Sequence, residues 1–127
     1  NPKGVVYSHR SNILHGLMAN QPDVFGLTSK HVVLPIVPMF HANAWGLAYG
    51  APMGGANLVL PGAALDGASL HHLIKDEEVT CSAAVPTVWA SLLAHVEERG
   101  GDLEPLKHVI IGGAAPPRAT ERADAER

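Results

Sequence analysis

The chain carries one cysteine, Cys81, in 127 residues. A lone thiol closes no internal disulfide, so the fold must be held by its core, and it suits a reducing compartment. No apolar run approaches the ~18 residues that a membrane-spanning helix needs. Positive charge is not in excess: 9 Lys and Arg against 12 Asp and Glu leave a net charge of −3. That excludes the basic stripe of a nucleic-acid binder and a polybasic membrane anchor. There is no internal repeat, no low-complexity tract and no linker. The opening Asn1-Pro2-Lys3-Gly4 has neither a Met nor a signal-peptide pattern. A chain that opens inside a Pro-Lys-Gly turn reads as cut from something longer. Two phosphate-binding signatures are also missing. Lys3 does not sit in the Gly-Lys-Ser/Thr of a Walker loop, and Gly112-Gly113 is not Gly-x-Gly-x-x-Gly.

What is present is an alternation of short apolar runs and helical patterns. Apolar residues make up 46% of the chain, enough for a core in one domain or part of one. Strands are expected at Val5 to Tyr7, His31 to Val37, Asn57 to Leu60, Val79 to Val85 and Lys107 to Ile111. Helices are expected over about Ser11 to Asn20, over Asn43 to Met53, after Asp66 as cap, and from Pro86-Thr87 to Gly100-Gly101. Leu70, Leu73 and Ile74, and then Val88, Leu92, Leu93 and Val96, recur at helical spacing and should face a core. Pro116-Pro117 opens a last helix, which has no large apolar residue to bury. This alternation predicts an α/β fold: a three-layer, mostly parallel sheet with helices on both faces. In such a sheet the loops Met39 to Trp45, Ala84 to Thr87 and Gly112 to Pro117 converge on one edge.

The residue-rich loop is Val37-Pro38-Met39-Phe40-His41-Ala42-Asn43-Ala44-Trp45. It follows a strand, and ligands collect outside the carboxyl ends of strands in open α/β sheets. Phe40 and Trp45 can make a dry wall beside the imidazole of His41. A satisfied loop histidine accounts for His41 equally well. For Lys3, an ordinary surface turn is the better local reading, against a place near phosphates. Gly112-Gly113-Ala114-Ala115-Pro116 leaves room for a ring or a phosphate against bare backbone, although an unliganded helix start explains it too. Trp89 reads as a core residue. His71 and His72 are adjacent and point apart on a helix, which argues against a shared metal. His31, His95 and His108 are given no role.

Taken in order, these motifs resemble the adenylate-forming acyl-CoA synthetases, most of all the long- and medium-chain fatty acyl-CoA branch. Pro2-Lys3-Gly4-Val5 looks like the end of that family's phosphate loop. Tyr7-Ser8-His9-Arg10 and His15 match the segment after it. Val37 to Trp45 is similar to the motif with the aromatic-His pair that lines the acyl pocket. Val85-Pro86-Thr87 matches a helix start near that pocket, and Gly112 to Pro116 the loop that packs on adenine. The resemblance covers the chain to about Pro117; the tail after Arg118 departs from it.

The resemblance implies ligation of a fatty acid to CoA at the expense of ATP, through an acyl-adenylate. His41 and Lys3 would act in catalysis, and Gly112, Gly113, Ala114, Ala115 and Pro116 would hold the nucleotide. Trp45, Phe40, His15, Val85 and Thr87 would shape the acyl pocket, with the Trp45 indole N–H turned towards His15. ATP/AMP, Mg²⁺ and CoA are the implied small molecules. The Mg²⁺ ligands would lie outside this chain, and no metal site is expected within it. Residues 1–127 would be a fragment of the AMP-binding N-terminal domain, without the C-terminal domain, from a cytoplasmic protein for which a homodimer stays open. The alternatives are an aryl-CoA ligase, an acyl-AMP ligase that loads a carrier protein, or a non-catalytic fragment that binds acyl chains or nucleotide.

Overall fold

The computed structural model describes residues 1 and 3–114. The Pro116-Pro117 helix start, and the proposed nucleotide contacts at Ala115 and Pro116, lie outside these residues. Four strands form one parallel sheet in the order β2-β1-β3-β4. They are β1 (Val32–Pro35), β2 (Asn57–Leu58), β3 (Cys81–Ala84) and β4 (His108–Ile111). The helices are α1 (His9–Ala19), α2 (Ala42–Trp45), α3 (Leu47–Met53), α4 (Gly67–Asp76) and α5 (Pro86–Arg99). The expected α/β fold with helices on both faces is what is observed.

Side chains alternate across the sheet as the two-residue period of a strand demands. Leu34, Ile36, Ala84, Val109 and Ile111 meet α4 and α5 through Leu70, Ile74, Trp89, Leu92 and Val96. Val88, Leu93 and Leu73 are partly buried against the same cluster, so the expected helix faces are correct. On the opposite face Val33, Val37, Cys81 and Ala83 meet Leu47 and Ala51 of α3. The α1 helix packs on α3 rather than on the sheet. A Cβ at Gly16 would sit 2.6 Å from the Met53 sulfur, so the bare backbone of Gly16 sets how closely the two helices approach.

The ends of the elements have local causes. Ser8 caps α1 by accepting from Ser11 N–H at 3.1 Å. The Asp66 carboxylate caps α4, accepting from Ser69 N–H at 3.0 Å, and that bond holds its carboxyl below the usual range. Pro86 opens α5, where a missing N–H costs nothing, and Gly100 closes it at φ 69°.

Pro35 ends β1 without breaking the sheet. Val33 O accepts from Val59 on the β2 side, so Pro35, two residues on, turns its missing donor to the same side. There β2 has already stopped, at Leu58 opposite Val33. The next residue, Ile36, still donates to Ala83 O at 2.8 Å.

Two expected elements differ in the structure. Val5 to Tyr7 is not a strand: its residues are exposed and pair with no neighbour. A β-branched pair has no ladder to join there. The helix expected over Asn43 to Met53 is two elements separated at Gly46, for reasons given below.

Cys81 is 1% exposed, and burial pushes its thiol up to about 11. It should remain protonated and unmodified by a thiol-specific disulfide reagent at pH 8, reacting only as the protein is unfolded in urea. Rapid labelling of the native protein would contradict this burial.

Candidate active site

The chain order reverses between β1 and β3. From β1 the chain moves outward to β2 over one face, through α3. From β3 it moves the other way to β4 over the opposite face, through α5. Loops that leave neighbouring strands for opposite faces open a crevice at the carboxyl edge, the switch point at which α/β sheets bind ligands.

The loop after β1 fills one side of that crevice with an unusual turn. Pro38 O accepts from His41 N–H, and the chain then enters α2. All four α2 residues are left-handed, with φ of 46°, 53°, 52° and 57° for Ala42, Asn43, Ala44 and Trp45. Gly46 follows at φ 81°. For L-residues this conformation costs roughly 1–2 kcal/mol each, so the turn must be held by its surroundings. Ala44 is fully buried in the core under α3. His15 of α1 donates from Nε2 to the Trp45 carbonyl oxygen at 3.3 Å. The same ring lies against Gly46, where any Cβ would overlap it. One helix further along, Asn20 Nδ2 donates to Gly50 O at 2.6 Å and ties α1 to α3. The continuous helix expected from Asn43 fails because these long-range contacts reverse the handedness of its first turn.

The expected convergence of loops occurs. The Trp45 indole lies over Gly112, whose Cβ would come 2.7 Å from the ring, and Val85 lies against Gly113, at 3.2 Å by the same measure. Trp45 thus links the first loop to the last. The contact with His15 runs through the Trp45 backbone, not its indole N–H, which corrects the expected pairing. Nor do Phe40 and Trp45 form one dry wall. Phe40 is 93% exposed, while Trp45 turns away towards Gly112.

A cleft of about 470 Å³ lies between the N-terminal segment and this loop. Lys3, Tyr7, Phe40, His41, Ala42 and Asn43 line it, and none of its lining residues is a carboxylate. Lys3 and His41, singled out separately from the sequence, therefore face one space. Tyr7 and Asn43 are additions. Thr87 is exposed on the first turn of α5, and Ala114 is exposed beyond Gly113. Among the described residues no group of three or more His, Cys, Asp or Glu gathers as a metal site. His71 and His72 point apart as expected: His71 Nε2 donates to Asp102 O at 2.8 Å, while His72 pairs with Asp76 at 3.0 Å. No helix among the described residues is long and apolar enough to cross a membrane.

The family model for AMP-binding enzymes matches residues 1–126. The chain belongs to that family. It is 51% identical over 122 residues to a medium-chain-fatty-acid–CoA ligase of Ectopseudomonas oleovorans, covering 96% of this chain and 22% of the relative. It is 53% identical over 116 residues to a 3-methylmercaptopropionyl-CoA ligase of Ruegeria lacuscaerulensis, covering 91% of this chain and 22% of that relative. The N-terminal domain of FACL13 from Mycobacterium tuberculosis, solved with an inhibitor, superposes with a TM-score of 0.79 at 29% identity. That match covers 98% of this chain and 31% of the solved one. The chain thus spans about a fifth of the length of these curated relatives.

Substituting Gly46 by Ala should lower the urea midpoint of unfolding, by strain and by displacement of His15 together. A loss of at least about 1–2 kcal/mol is expected from the left-handed φ alone. An unchanged midpoint would mean that the turn is not held as described.

Proposed function

We propose that this chain forms part of the AMP-binding N-terminal domain of a longer fatty acid–CoA ligase, whose C-terminal domain lies elsewhere in the polypeptide. The reaction is fatty acid, ATP and CoA to acyl-CoA, AMP and pyrophosphate. The observation that carries this reading is the cleft between the N-terminal segment and the loop after β1, lined by Lys3 and His41 and free of carboxylates. Such a lining suits an anion. Membership of the AMP-binding family and the relatives named as CoA ligases support the class of reaction.

A carboxylate is a poor electrophile. In the first step its oxygen attacks the α-phosphorus of ATP, and the bond to pyrophosphate breaks. In the second the CoA thiol attacks the acyl carbon, loses its proton, and AMP departs. The acid and the polyphosphate repel each other as they approach. Lys3 would offset that repulsion, and His41 would orient the attacking carboxylate. Gly112, Gly113 and Ala114, and beyond them Ala115 and Pro116, would take the adenine ring, a fit supported by the exposed Gly113 and Ala114, with half-buried Gly112 beneath the Trp45 indole at its edge. Mg²⁺ would neutralise the phosphates, held by groups outside this cleft, which offers it no carboxylate. Trp45, Phe40, Val85, Thr87 and His15 would bound the acyl side. We place the reaction in the cytoplasm, where ATP and CoA are at hand and Cys81 stays reduced.

The similarity to a 3-methylmercaptopropionyl-CoA ligase favours a second reading of the acid, as short and sulfur-bearing. Full-length protein carrying this chain should be incubated with ATP, Mg²⁺, CoA and a series of short, medium and long acids, aryl acids included, and the products read by mass spectrometry. Medium- or long-chain acyl-CoA is the expected outcome. Exclusive turnover of short acids would favour the second reading. Trapped acyl-adenylate without thioester would indicate transfer to a carrier protein instead.

His41→Ala should slow adenylation by about 10²-fold or more, with thioester formation from supplied acyl-adenylate less affected. Equal losses in both half-reactions would remove His41 from the first step. Trp45→Ala should broaden chain-length selection, and wild-type kinetics on every acid would exclude Trp45 from the acyl boundary.

A further inference from the structure

The identity of residue 43 is not explained by the backbone it occupies. Asn is the ordinary residue type that best tolerates a left-handed φ, so conformation is the first account to consider. Here, however, Ala42, Ala44 and Trp45 hold the same conformation with φ of 46°, 52° and 57° and no polar side chain. The turn is imposed from outside, by His15, by Gly46 and by the burial of Ala44. Asn43 itself is half-buried. Its carboxamide makes no hydrogen bond to another described residue. It lines the same cleft as Lys3 and His41.

A carboxamide with no partner among the described residues, in one cleft with an ammonium and an imidazole, supplies an N–H donor that is neutral at every pH. A cation attracts any anion from any direction, whereas an amide N–H selects an oxygen at one position and direction. We infer that Asn43 is a substrate-binding residue whose side-chain N–H donates to a carboxylate oxygen of the acid, fixing which oxygen is presented for attack. This rests on the ligase reading above. The other anionic oxygen that could take the bond is on the α-phosphate of the nucleotide, and kinetics separate the two.

The test uses the full-length protein and three substitutions, with the medium-chain acid dodecanoate as probe. Asn43→Gly keeps the left-handed turn and removes the carboxamide. Asn43→Ala removes the carboxamide on a turn that alanine already tolerates on either side. Asn43→Asp keeps the shape and places a negative charge against the acid. The Gly and Ala variants should both lose about 10- to 100-fold in kcat/KM for dodecanoate, the span of a hydrogen bond to a charged group. The Asp variant should lose more, and the KM for ATP should stay within about twofold of wild type in the Gly variant. Wild-type kinetics in Asn43→Gly, alongside a defective Asn43→Ala, would show that only conformation matters and overturn the inference. A raised KM for ATP with an unchanged KM for dodecanoate would also overturn it, moving the bond to the phosphate. A wild-type protein that turns over no acid would overturn the ligase reading itself, which none of the variant results would do.

Discussion

The pairing of β1 with β3 is the constraint on which the rest depends. These two central strands are in register from Val33 opposite Cys81 to Pro35 opposite Ala83. The pairing is reinforced inside the sheet, where the buried Ser82 hydroxyl donates to Leu34 O at 2.7 Å. It is also reinforced at the edge, where Thr80 exchanges bonds with both backbone groups of Val32. Because the chain leaves β1 and β3 over opposite faces, this one pairing decides where the crevice opens. It also decides that α3 and α5 start on opposite sides of it.

What stands in the crevice is set by α1, an element that never touches the central strands in any substantial way. It acts through α3: His15 braces the left-handed turn, Gly16 allows close approach at Met53, and Asn20 holds Gly50. The pieces are spaced along one helix so that each meets a different turn of the segment from Trp45 to Met53. Strain in α2 is therefore offset by packing some distance away in sequence, which is the usual arrangement where a loop must present groups in an uncommon geometry.

The architecture was legible because its signals are local. Alternating runs, the cap at Asp66, Pro86 at a helix start and Gly100 at a helix end each depend on a few neighbouring residues, and each is found where expected. Lys3 and His41 are legible as individual residues, but their shared cleft is not, because the segment after Lys3 forms no strand that would tie it to the sheet. Nor is the handedness of α2. Asn43 tolerates a left-handed φ, but Ala42, Ala44 and Trp45 carry no such signal, and a main cause is a histidine far back in the chain. The resemblance implies an indole contact from Trp45 to His15, whereas the left-handed turn gives His15 the Trp45 carbonyl and sends the ring to Gly112. Val5 to Tyr7 misled in the opposite direction: residues of strand type with no strand beside them.

The proline at the end of β1 has a consequence for the company this sheet keeps. β2 covers the flank of β1 only as far as Val33. Beyond it the rest of β1 would present a bare row of backbone groups, the kind of rim to which a stray strand from another molecule can anneal. Pro35 removes the donor at that rim, while Ile36 keeps its own bond on the inner side. The gap beside the crevice can then remain open to small molecules without inviting growth of the sheet across it.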